Sequence, residues 1–235
     1  MLDRDFDFHL NEVHPDSRVK YYNYYELENY LFEDSLLKIV LKNVCNYSDM
    51  NHYYEMIRLL HEIEKACKPY VLLCFLREVH YRKDILTEDQ LAKVLEIIKK
   101  NPSSMMQMRN LGIANELERI PGYIESELNK VGLSIEIVLE LIDDNDYESS
   151  SIMGVTEPLD LFKFAITGKL VSNSLSYFFK YILTNSSELN QIKSKGNLSS
   201  IITRLKLEWI PTLSQDLSEL LKEIETEFEM EQVVV

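Results

Sequence analysis

Two hydrophobic periods divide this chain. At its start apolar and acidic residues alternate, as Leu2-Asp3-Arg4-Asp5-Phe6-Asp7-Phe8. Period 2 belongs to an extended strand, which would set Asp3, Asp5 and Asp7 on one face, with Leu2, Phe6 and Phe8 among the residues opposite. Asn11 to Ser17 contains Pro15, Asp16 and Ser17, which fix φ or bond back to the backbone, and reads as a turn. Val19 to Tyr25 is rich in aromatic residues and reads as a second short strand. From Glu26 onwards the period becomes 3.6, that of a helix with one apolar face.

Several helices follow from that period. Tyr53, Met56, Ile57, Leu60, Ile63 and Cys67 line one face, and Pro69 predicts a break or kink because it lacks an N–H and crowds the preceding turn. Val71 to Val79 is mostly apolar, as expected of a helix central in the core. Thr87-Glu88-Asp89-Gln90 is a capping box opening a helix with Leu91, Val94, Leu95 and Ile98 inward, and Asn101-Pro102 closes it. A methionine-rich piece (Met105, Met106, Met108) leads to a helix from about Asn115, interrupted or restarted at Pro121-Gly122. Ser134 should cap a helix running through Leu141. Asp143 to Ser151 is the clearest loop. After Pro158, helices are expected over Leu159 to Ile166 and Leu170 to Leu183. Thr212-Leu213-Ser214-Gln215 should cap a last one, with Leu213, Leu217, Leu220, Leu221, Ile224 and Phe228 inward. The expected fold is mainly α: a small α/β segment over residues 1–45, a helical domain over 46–235, and a flexible loop over 143–157. No internal repeat is present.

The alternating acids carry the chemistry. Like charges on one strand face repel, and folding does not reward placing them together unless a cation joins them. A hard ion such as Mg²⁺ binds through one or two carboxylates and keeps several waters. The alternative is a frayed, solvated acidic terminus. A second acidic cluster follows in Tyr21-Tyr22-Asn23-Tyr24-Tyr25-Glu26-Leu27-Glu28-Asn29-Tyr30-Leu31, so both clusters would fall at strand ends, where open α/β sheets bind ligands.

Asp3-Arg4-Asp5-Phe6-Asp7 followed by Tyr24-Tyr25-Glu26-Leu27-Glu28-Asn29-Tyr30-Leu31 resembles the bacterial Toprim-like family catalogued as domain of unknown function 4435. Ile166-Thr167-Gly168-Lys169-Leu170-Val171 is similar to a Gly-Lys element in that family's helical part. The resemblance implies a metal-dependent nuclease effector that partners an AAA/ABC-type ATPase, as in PARIS-type anti-phage systems. It implies that Asp3 and Asp5 are catalytic and ligate Mg²⁺ or Mn²⁺, with Asp7 in the outer coordination shell and Glu26 or Glu28 as supporting acids. The family also delivers a catalytic Glu from a strand upstream of the Asp-x-Asp motif. Neither residue ahead of Asp3 here could supply it, so the chain reads as truncated at its start, or else as a degenerate remnant that kept the helical part, and in either case as inactive by itself.

Composition narrows the field. A formal net charge of −14 disfavours non-specific nucleic-acid affinity, which depends on Lys and Arg neutralising phosphates. No run of eighteen apolar residues and no signal peptide occurs, which reads as a soluble cytoplasmic protein. Cys45, Cys67 and Cys74 are odd in number, without a CxxC pair, and read as reduced buried thiols. Gly168-Lys169 is not a P-loop, since Lys163 stands where Gly is required and Leu170 where Ser or Thr would be. His61-Glu62 lacks a second histidine at zinc spacing, and His52 and His61 read as helix-surface residues. The acids of Glu219 to Glu231 read as a solvated face. Two functions stay open: the metal-binding and helical part of a Toprim-like phosphodiesterase, or a non-catalytic helical module docking to an ATPase partner. A homodimer is compatible with either.

Overall fold

The apolar run in the middle of the chain becomes one long helix on which the rest is assembled. The computed structural model describes residues 6–7, 9–10, 14–16, 19–25, 27–45, 50–100, 102–105, 113–165, 210 and 214–233. A 3-10 helix, Leu27–Phe32, leads into α1 (Asp34–Cys45). The central helix, α2 (Met50–Lys83), is 34 residues long, about 50 Å at 1.5 Å per residue. Next come α3 (Glu88–Lys99), α4 (Pro102–Met105), α5 (Ile113–Leu117), α6 (Arg119–Asn129), α7 (Ile135–Asp143), α8 (Ser150–Met153) and α9 (Asp160–Phe164). The acidic helix α10 (Gln215–Val233) follows. Helices α3, α5, α6, α7, α8 and α9 all pack on α2, while α1 and α9 hold the 3-10 helix.

Helix α2 continues past Pro69, so the proline does not break the helix. An internal proline costs roughly 3 kcal/mol. Against that cost, every residue from Tyr70 to Leu76 is buried, and each large apolar side chain taken out of water contributes roughly 1.5–3 kcal/mol. Burial wins. Leu86, Val94, Ile97, Ile120, Ile124, Leu128, Val138, Ile142 and Ile152 complete the layer around α2.

The caps follow the sequence closely. Thr87 is extended, its Oγ1 accepts from the Gln90 N–H, and the Gln90 side chain accepts from the Thr87 N–H at 3.0 Å. On α3 the buried positions are Val94 and Ile97, flanked by Leu91 and Ile98, so Ile97 takes the central place expected of Leu95. Ser134 caps α7 by accepting from the Ile137 N–H. The helix begun at Ile113 stops at Leu117 and restarts at Arg119, which puts Pro121 in the first turn of α6, where a missing N–H is tolerated.

The strand readings do not hold where the structure describes them, at 6–7 and 19–25, while residues 1–5 and 8 lie outside the described residues. Among the described residues there is no strand, only an isolated bridge at Tyr21. Phe6–Leu10 is a turn closed by the Leu10 N–H donating to the Phe6 carbonyl at 2.9 Å, with both side chains buried. Phe6 and Leu10 are four apart, a helical spacing, and burying both in the core, Phe6 against Phe75 of α2, overrides the alternation of acids around them. The chain bends at Asn23–Tyr25 rather than extending, and the bend lets the adjacent Tyr24 and Tyr25 both enter the core. The described part of residues 1–45 is therefore turn and helix, and its Phe6, Leu10, Tyr30 and Phe32 share one core with α2. Between α7 and α8 the chain runs through a turn at 144–149, and beyond it Lys68 Nζ donates to the Met153 carbonyl at 2.9 Å and the Val155 carbonyl at 2.5 Å, with Ile152 fully buried. Expected helix Leu170–Leu183, Gly168-Lys169, Thr212 and Leu213 lie outside the described residues. No helix among the described residues is long and apolar enough to cross a membrane.

Candidate functional site

Phe6 and Tyr25 meet edge to face, with ring centroids 5.3 Å apart, and Phe6 also packs against Phe75 of α2 at 5.4 Å. The turn is further tied down by His9, whose Nδ1 lies 3.0 Å from the Ser151 hydroxyl on α8. Asp7 follows Phe6 in this turn and is half-buried. Glu28 falls on the 3-10 helix two residues beyond Glu26, its side chain outside the described set. Asp3, Asp5 and Glu26 also lie outside the described residues. Among the described residues no group of three or more His, Cys, Asp or Glu side chains has the geometry of a metal site.

The tyrosine-rich segment is built into the core rather than offered to solvent. The Tyr24 ring packs 4.6 Å from that of Tyr30 and 5.5 Å from that of Phe164, and its hydroxyl donates to the Asp216 carboxylate at the start of α10. Burial, then Asp216, pushes the Tyr24 phenol well above its usual range. Burial likewise pushes Tyr30 up to about 12, while its oxygen accepts from the Asn23 N–H at 3.0 Å. Both stay protonated at neutral pH, which suits a structural role better than a nucleophilic one. Cys67 and Cys74 are free and buried, and burial pushes both thiols up to about 12, far from the thiolate that reactivity needs.

Among the buried polar residues that the sequence reading did not single out, Glu64, Asn29 and Glu33 hold α9 and α10. Glu64, 2 % exposed, accepts the Leu159 N–H on Oε2 at 2.8 Å and the Phe162 N–H on Oε1 at 2.9 Å. His61 is half-buried rather than on the helix surface, and its Nδ1 lies 2.9 Å from Glu64 Oε2. Asn29, fully buried, donates from Nδ2 to the Phe162 carbonyl at 2.5 Å. Beside it the Tyr25 N–H donates to the Lys163 carbonyl at 2.8 Å, and Phe32 stacks on Phe162 at 4.7 Å and 7°. Glu33 plays a similar part for α10, accepting from the Ser214 hydroxyl at 2.6 Å and the Gln215 N–H at 2.9 Å. One signal was legible: Glu64 lies on the stripe of Leu60 and Cys67, and an acid on an apolar stripe must find buried donors.

An open groove of about 440 Å³ between α3 and α6 is lined by Thr87, Gln90, Lys93, Glu96, Lys130 and Val131. Its cations are engaged with acids, Lys93 with Glu96 at 2.6 Å and Glu127 at 3.3 Å, and Lys130 with Glu127 at 2.5 Å. That pairing leaves the groove without a convergent chemistry. No protein-family model, curated protein or solved structure matches this chain.

Proposed function

We propose that this chain is the metal-binding and helical part of a Toprim-like phosphodiesterase that works with an AAA/ABC-type ATPase in anti-phage defence. The observation that carries the reading is the Phe6–Tyr25 contact at 5.3 Å. Phe6 stands between Asp5 and Asp7, and Tyr25 precedes Glu26, so the residues flanking the two acidic stretches touch. The donor set also fits a hard divalent ion, because Asp3, Asp5, Asp7, Glu26 and Glu28 offer only carboxylate oxygens. Asp3 and Asp5 would hold Mg²⁺ or Mn²⁺, and Glu26 or Glu28 would orient its waters. A bound ion of this kind supplies a hydroxide nucleophile and stabilises the leaving oxygen.

The resemblance asks for a glutamate ahead of Asp3, so the test compares two chains with Mg²⁺ or Mn²⁺ and labelled DNA or RNA. Residues 1–235 alone should show no turnover. The same chain extended upstream through a strand carrying glutamate should cleave, and Asp3→Ala with Asp5→Ala should abolish cleavage. Cleavage indifferent to those aspartates would defeat the assignment. The net charge of −14 favours a second reading, a non-catalytic helical module on the ATPase. Stable co-elution with the ATPase and no metal-dependent cleavage by the extended chain would decide for it.

A further inference from the structure

We propose that Glu64 is a positioning residue: through α9 it fixes the backbone on both sides of Glu26 and Glu28 beside the turn that carries Asp7. The proposal rests on the metal-site reading above and adds to it the device that would hold one acidic stretch against the other. On one side of α9, the Glu64 carboxylate takes the Leu159 N–H at 2.8 Å and the Phe162 N–H at 2.9 Å. On the other side, the last turn of α9 grips the acidic segment at three points. The Lys163 carbonyl accepts from Tyr25, the residue before Glu26. The Phe162 carbonyl accepts from Asn29, the residue after Glu28. The Phe162 ring stacks on Phe32. Phe162 thus receives Glu64 at its N–H and Asn29 at its carbonyl, so the two contacts meet on one peptide-bonded residue.

A glutamate is a costly way to hold a five-residue helix. Removing a carboxylate from water is repaid only where donors satisfy it, and a well-packed apolar side chain in its place is often more stabilising. What a carboxylate adds is direction: two oxygens aimed at N–H groups three residues apart admit one rotation and one register of α9. Leu159, whose N–H Glu64 accepts, starts α9 at φ 71°, a conformation that is uncommon for a residue with a side chain. The 3-10 helix inherits that register. Metal sites need this kind of support, because partners behind the ligands typically change metal affinity by 10–100-fold when removed.

The test reads Mn²⁺ binding to residues 1–235 by electron paramagnetic resonance, and amide exchange of Tyr25 and the 3-10 helix by NMR. Glu64→Gln keeps the volume but only one accepting oxygen. Asn29→Asp, an independent arm should the first variant fold poorly, removes the donor to Phe162. Val94→Ala serves as the control, because it loosens α3 without touching α9. Both strut variants should speed Tyr25 exchange at least tenfold and raise the Mn²⁺ dissociation constant 10–100-fold, while Val94→Ala lowers the melting temperature and leaves both readouts in place. Unchanged exchange in both strut variants would overturn the proposal. So would an equal shift in Val94→Ala, since the role would then be general stability. A wild-type chain that exchanges as expected but binds no Mn²⁺ would instead overturn the metal-site reading, and with it any positioning role for Glu64.

Discussion

A helix start leaves backbone N–H groups without partners inside the helix, and this chain meets the demand at two ranges. Thr87 and Ser134 cap α3 and α7 locally, within three residues. Glu64 and Glu33 reach α9 and α10 from 95 and 182 residues away in sequence. The energetic consequences differ. Thr87→Ala should cost about 1 kcal/mol, since water can still reach the exposed N–H groups, and a lower urea midpoint with unchanged slope would register it. Glu33→Ala leaves the buried Ser214 hydroxyl and the Gln215 N–H without their acceptor, a loss of about 1–3 kcal/mol. Faster amide exchange at Gln215 and Leu217, with α3 unaffected, is the expected signature.

At the scale of elements, α2 decides where everything else sits. Its middle turns bury Leu72, Leu73, Phe75 and Leu76 on more than one side, so helices can pack around it rather than along one face. Pro69 survives there because the packing outweighs its local cost. Pro69→Ala should therefore stabilise the protein, by up to about 3 kcal/mol, by restoring a helix N–H and relieving the clash with the preceding turn. A higher thermal midpoint would show it, and a lower one would mean that the proline ring itself fills space that alanine leaves empty. Phe75 ties the chain's start and the 144–149 turn to this helix, touching Phe6, His9 and Tyr147. Phe75→Ala should cost about 3–5 kcal/mol, read as a lower melting temperature and earlier exposure of Phe6 and Tyr147 to exchange and proteolysis.

The molecule as a whole should lose stability in alkali. Burial holds Cys67, Cys74 and Tyr30 at about 12, against ordinary values of 9.0 for the thiols and 10.0 for the phenol. Above pH 9 the unfolded chain releases protons that the folded chain retains, so the unfolded state gains free energy of ionisation and stability falls as pH rises from 9 towards 12. Well below pH 9, at neutral pH, these groups are protonated in both states and contribute no slope. Urea midpoints that hold between pH 6.5 and 7.5 and drop by pH 10.5 are expected, with a shallower drop in a Cys67→Ala, Cys74→Ala variant. Thiol-specific labelling at pH 8 should modify Cys67 and Cys74 only after denaturant is added, as peptide mapping would show.

What the sequence determined by itself is what short range controls. The mainly helical fold, the capping box at Thr87, the cap at Ser134, the restart near Pro121 and the buried state of Cys67 and Cys74 all follow from neighbours within one or two turns. The errors arose where distant packing overrides a local pattern. Alternating acids suggested a strand at Phe6–Asp7, but burying Phe6 and Leu10 in the core is worth more than alternation is on a free edge. Pro69 suggested a break or kink, and the surrounding core keeps the helix unbroken. The acidic stretches, legible as motifs, say nothing alone of how they are held. Only the tertiary structure decided that Phe6 meets Tyr25, and that Glu64 and Asn29 meet on Phe162, because hydrogen bonds spanning 95 and 133 residues leave no periodic trace along the chain.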